Sequence, residues 1–169
     1  PVDDSFILSF EAFNLSGGQY KKLFGRTVGG VCESGWAKSV EADAEPAFDA
    51  MTDVIFRLFT RQNPTTGQII TFDMNTVRNS NWNVNNDVRI LIHGWNGGGA
   101  GSSGMLTREF LARDDYNVIA VDWGAGAQTP NYVTARNRVG DVGAAVARLI
   151  DAIQQAGLTA FNRVNVIGH

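Results

Sequence analysis

Val88-Arg89-Ile90-Leu91-Ile92-His93-Gly94-Trp95-Asn96 begins as an apolar run long enough for one buried strand and breaks into a loop at a glycine. Downstream the same grammar returns twice. Val118-Ile119-Ala120-Val121 is a second buried strand and Val164-Asn165-Val166-Ile167 a third. A glycine-rich loop and a short helix around Met105 to Ala112 separate the first two. Between the second and third, Val139, Val142, Val146, Leu149, Ile150 and Ile153 recur every three or four residues, on one face of a helix that Gly157 can terminate. Strand, helix, strand, helix, strand with short connections is the pattern of a parallel sheet covered by helices, joined by right-handed crossovers. The expected fold class is α/β. In such sheets functional groups gather at the carboxyl ends of strands, so the loops after Ile92, Val121 and Ile167 are the places to search.

Upstream, Val54 to Leu58 is strand-like, Asn63-Pro64-Thr65-Thr66-Gly67 is a turn, and Gln68-Ile69-Ile70-Thr71-Phe72 is a second strand, together an N-terminal β-hairpin. Earlier still, glycine pairs and the acidic stretch Glu41 to Pro46 leave neither periodicity dominant. The expected organisation is therefore an irregular segment over 1–53 and an α/β domain over 54–169. No internal repeat is visible.

The chain has 169 residues of which 44% are apolar, enough to bury a core and to argue against disorder. Fourteen basic residues face seventeen acidic ones and are scattered along the chain, which gives nucleic-acid binding little support. The longest apolar runs are strand-length, so no membrane span is expected. Two histidines and one cysteine, far apart, supply no metal-ligand cluster. Cys32 has no partner cysteine in these residues, which leaves a free thiol or a bond to something outside them. Asn14-Leu15-Ser16 is an N-glycosylation sequon, and the first residue is Pro1 rather than methionine. Both fit a secreted, processed protein, and a cloning boundary would give the same start.

The chemistry concentrates in two loops. His93-Gly94-Trp95 follows a strand, where a glycine lets the chain turn and aim a backbone N–H. Ile167-Gly168-His169 ends a buried strand with the first two residues of G-x-S-x-G, the strained turn that lifts a nucleophilic serine into a site. Taken with Phe56-Arg57-Leu58-Phe59-Thr60-Arg61-Gln62-Asn63-Pro64, with Tyr116 to Trp123 and with Asn162 to His169, these ordered motifs resemble the pancreatic-lipase superfamily over residues 54–169. The stretch from Ala125 to Arg138 looks most like the insect neutral lipases, and residues 1–50 match poorly.

The resemblance implies the N-terminal half of an α/β-hydrolase domain, its fold incomplete here. It implies a secreted carboxylic-ester hydrolase acting on lipid esters, of the triacylglycerol lipase or phospholipase A1 type, without a cofactor. Its Ser-Asp-His triad would lie beyond residue 169, the nucleophile immediately after His169. The backbone N–H of Trp95 would be one oxyanion-hole donor, with Gly94, Trp95 and Tyr132 lining the substrate and Gly168 and His169 forming the elbow. Tyr132 reads equally as a packing residue at the start of a helix. His93 and His169 flank the site without a proton-transfer role, and Asp122 reads as structural, since the family's triad acid follows the serine.

Two other readings stand beside this one. Members of the superfamily include yolk storage proteins that lack a working triad, so a catalytically inactive storage or lipid-binding protein is the first alternative. The second is a dinucleotide-binding protein, because Gly99-Ala100-Gly101-Ser102-Ser103-Gly104 satisfies G-x-G-x-x-G and Asp122 stands near the expected acidic position. Against it, His93 to Gly98 separate the first glycine from the strand end. A hydrolase sheet ending at Ile167 is expected to leave an apolar strand edge, with the faces of Val88–Ile92 and Val118–Val121 partly uncovered. The remaining C-terminal polypeptide is accordingly expected as a separate or continuing chain, or the next residue as a modified serine.

Overall fold

The computed structural model describes residues 8–10, 47–99 and 104–169. The sequon at Asn14, Cys32, and residues 100–103 of the glycine fingerprint lie outside the described residues, as do the side chains of residues 8–10. The strands are β1 (Leu8–Phe10), β2 (Ile55–Phe59), β3 (Gln68–Ile70), β4 (Asp87–Ile92), β5 (Tyr116–Asp122) and β6 (Val164–Gly168). They form one sheet in the order β1-β6-β4-β5-β2-β3. The helices are α1 (Ala50–Asp53), α2 (Met74–Arg78), α3 (Gly104–Arg113), α4 (Gly124–Ala127) and α5 (Tyr132–Gln155).

β4 pairs in parallel with β5 and with β6, while β2 is antiparallel to both β5 and β3, and β1 is antiparallel to β6. Strands β3 to β6 therefore point one way and β1 and β2 the other, a mostly parallel mixed sheet flanked by helices, as in an incomplete α/β-hydrolase fold. The expected hairpin is β2–β3, with Arg57 opposite Ile69. Asn63 closes its turn by donating from Nδ2 to the carbonyls of Leu58 and Thr66.

Two helices pack on opposite faces. On one, Val88, Ile90, Ile119, Val121, Phe56, Leu58 and Ile70 meet Val142, Ala145, Val146, Leu149, Ile150 and Ile153 of α5. On the other, Leu91, Val118, Ala120 and Phe59 meet Leu111 of α3. β5 is buried on both faces, which explains the unbroken apolar run from Val118 to Val121. The helix α5 starts at an Asn131 cap, whose side chain accepts from the Val133 N–H, and is followed by Gly157 at φ +70°, the left-handed conformation glycine adopts without cost.

Three expectations change. Val139 was placed on the buried face of α5 by its spacing but is 52% exposed. Its neighbours on that face, Ala135 and Val142, are buried in the core, so the spacing identifies the face and Val139 stands outside the packing between them. The faces of Val118–Val121, expected to be partly uncovered, are closed because α3 and α5 lie over them, whereas in Val88–Ile92 the side chains of Arg89 and Ile92 stay half-buried. Nor is the far edge of β6 bare, since β1 pairs with it, although no residue of β6 is fully buried. β1 and α1 lie within residues 1–53, where no periodicity stands out.

Leu149 is fully buried beneath α5, and Gly143 sits mid-helix with open space where a Cβ would go. In urea denaturation of the full-length protein, Leu149→Ala is expected to cost about 2–5 kcal/mol. Gly143→Ala is expected to add about 0.5–1 kcal/mol by restricting the unfolded chain.

Candidate functional site

Because β4 pairs with β6 on one side and β5 on the other, Ile92 stands opposite both Gly168 and Val121, and three carboxyl ends finish level. The loops that follow must therefore share one edge. The His169 N–H donates to the Ile92 carbonyl at 3.0 Å, carrying the pairing one residue past β6. Gly94 lies so close that a Cβ there would meet His169 Nδ1 at 2.7 Å and the His169 carbonyl oxygen at 2.9 Å. Here glycine is a requirement of space, not of backbone conformation.

A cleft of about 490 Å³ opens at this edge, lined by the loop from His93 to Gly98, by Ile167, Gly168 and His169, and by Leu106 of α3. That volume is in the range of small-molecule sites. The chain turns back at Gly94–Gly97, with Asn96 at φ +56° and the Gly97 N–H donating to the Gly94 carbonyl at 3.0 Å. Asn96 N–H reaches the Ala127 carbonyl at 3.1 Å, and the Trp95 indole N–H reaches the Thr129 carbonyl at 2.9 Å. The backbone N–H of Trp95 has no acceptor among the described residues, although Trp95 lines the cleft. A polar donor left unspent on a cleft wall is a group available to a ligand.

His93 is buried and committed. Its Nε2 accepts the Trp123 backbone N–H at 3.0 Å and its Nδ1 lies 2.9 Å from the Gly94 carbonyl. The ring stacks on the Trp123 indole, whose N–H donates to the His93 carbonyl at 2.6 Å. Asp122 accepts the Gly124 N–H at 3.1 Å on Oδ1 and the Gly99 N–H at 3.0 Å on Oδ2. Its carboxylate thus joins β5 to the loop after β4, and the acidic position of the dinucleotide fingerprint is engaged within the protein.

The sequence-derived residues Gly94, Trp95, Gly168 and His169 come together on this cleft. Tyr132 does not line it. It opens α5, is 57% exposed and meets the Trp95 indole edge-on at 5.5 Å. Leu106 went unnoticed in the sequence, where nothing marks which side of a short helix borders a loop. The anchoring carbonyls of Ala127 and Thr129 carry no side-chain signature at all.

Comparison with known proteins gives a family and relatives. The model of a family described as Lipase matches residues 25–169. The chain is 38% identical over 128 residues to pancreatic triacylglycerol lipase of Mus musculus, covering 75% of this chain and 27% of that protein. It is 33% identical over 141 residues to pancreatic triacylglycerol lipase of Myocastor coypus, covering 81% and 30% respectively. It is also 34% identical over 116 residues, 68% and 24% of the two chains, to inactive pancreatic lipase-related protein 1 of Mus musculus. The chain spans under a third of the length of these relatives.

The tight contact at Gly94 makes a checkable demand. Gly94→Ala must push against the His169 backbone and is expected to lower stability by about 1–3 kcal/mol. Gly104→Ala, at the open start of α3, leaves the melting temperature unchanged or raises it. Thermal melts of the two variants of the full-length protein test the pair.

Proposed function

We propose, from the premise that this chain belongs to the lipase family, that it forms the N-terminal part of a domain hydrolysing lipid esters. The observation that carries the proposal is that Trp95, whose backbone N–H has no acceptor among the described residues, lines the same cleft as the end of β6. In this reading a serine immediately after His169 attacks the ester carbonyl. The oxygen turning negative accepts from the Trp95 N–H and from the N–H of the residue after that serine. Such donors stabilise charge that exists only in the transition state, and losing one costs roughly 2.7–4 kcal/mol of barrier.

The triad acid and base belong, in the same reading, to the polypeptide that follows this segment. His93 is not the base, because both its ring nitrogens are occupied by backbone groups. Gly94 keeps the approach open, the Trp95 indole and Leu106 give the cleft apolar walls, and Tyr132 supports the Trp95 ring from outside. Triacylglycerol and phospholipid are the proposed substrate classes. Secretion is part of the proposal and rests on the Asn14 sequon and the family resemblance. Among the described residues no helix is long and apolar enough to cross a membrane.

The full-length protein is expected to hydrolyse p-nitrophenyl butyrate and emulsified triacylglycerol. A phosphonate inhibitor is expected to add its mass to the peptide just beyond His169. Absence of both turnover and adduct would overturn the hydrolytic reading. A residue other than serine at that position would turn the assignment to the storage or lipid-binding alternative.

A further inference from the structure

We propose that His93 is a positioning residue whose imidazole sets the direction of the Trp95 backbone N–H. The inference rests on the oxyanion role proposed above for that N–H, and it concerns what holds the group in place.

The argument runs through one peptide unit. The Gly94 carbonyl and the Trp95 N–H belong to the same planar trans amide, so they point to opposite sides of the chain. Whatever grips the carbonyl aims the N–H. Two donors grip it: the Gly97 N–H at 3.0 Å, and His93 Nδ1 at 2.9 Å. The carbonyl can only accept, so Nδ1 must carry the ring proton. At the other side of the ring Nε2 faces the Trp123 backbone N–H, which can only donate, so Nε2 must present its lone pair. Both partners demand the same tautomer.

The ring in turn has no freedom to swing. It is stacked on the Trp123 indole with planes 9° apart, and the indole N–H is bonded back to the His93 carbonyl. A Cβ on Gly97 would meet Nδ1 at 2.5 Å, so the turn closes over the ring from above. Asp122 Oδ1, the one carboxylate facing Nε2 among the described residues, stands 3.6 Å away, beyond hydrogen-bonding distance. A chain of contacts therefore leads from the end of β5, through Trp123 and the imidazole, to the Gly94 carbonyl and the donor on the cleft.

Three variants separate this from a merely structural role. In His93→Asn the carboxamide nitrogen takes the place of Nδ1 and can still donate to Gly94. In His93→Gln the longer side chain reaches the Nε2 position and meets Trp123 instead, and His93→Ala provides neither bond. With p-nitrophenyl butyrate and the full-length protein, kcat is expected to fall about 10- to 100-fold in His93→Gln and His93→Ala, the scale of a small misplacement of a reacting group. KM should stay within about twofold, and His93→Asn should recover kcat to within about threefold of wild type, the pattern of a transition-state interaction. Equal losses in His93→Asn and His93→Gln, or a loss carried by KM, would overturn the proposal.

A second measurement needs no turnover and so survives failure of the hydrolytic reading or poor folding of a variant. In wild-type protein labelled with 15N-histidine, the His93 ring is expected to show a protonated Nδ1 and an unprotonated Nε2. The opposite tautomer defeats the inference even if the enzyme is fully active.

Discussion

Level strand ends are the constraint on which this molecule depends. β4 is the hinge of the arrangement, since its parallel register with β5 and β6 sets Ile92 beside Val121 and Gly168 at once. Hydrophobic patterning enforces that register: each strand alternates between a face under α5 and a face under α3, and a slip by one residue would exchange them. Everything at the cleft follows from where three chains leave the sheet together. The close approach of Gly94 to His169 follows from that register, since both residues lie just past paired strand ends.

The loop after β4 is held from within at the Gly94 carbonyl and from outside by the end of β5 and the segment that follows it: Asn96 is tied to Ala127, the Trp95 indole to Thr129, Gly99 to Asp122 and His93 to Trp123. Most of these acceptors are backbone carbonyls or nearly buried groups, so the loop is cast against a rigid template. Pre-organisation of this sort is what a charge-stabilising donor needs, because a donor that must reorient during reaction gives back part of its benefit.

Reading the sequence recovers the alternating second half because branched apolar runs and three-to-four spacing are strong signals, and because β5 is buried on both faces. It singles out Gly94, Trp95, Gly168 and His169, which line one cleft, because they stand at or beside strand ends. It fails at Val139, since periodicity marks a helix face without showing which of its positions find a partner. Helices α1, α2 and α4, of four or five residues, are too short to have a period, although Asp49 and Asp73 cap the first two. The grip of Trp123 on His93 joins residues thirty positions apart and leaves no trace in local pattern.

Asn117 gives β5 a further property. It is a fully buried polar side chain in an otherwise apolar strand, satisfied by the Asn83 backbone, whose N–H it accepts at 3.1 Å and whose carbonyl it donates to at 2.7 Å. Sliding the strand would strand an amide in hydrocarbon, at a cost of about 1–3 kcal/mol, while any branched residue in its place would tolerate the shift. A single carboxamide at the amino end of the sheet thus acts as an indexing pin, and the spacing it sets is read out at the opposite rim.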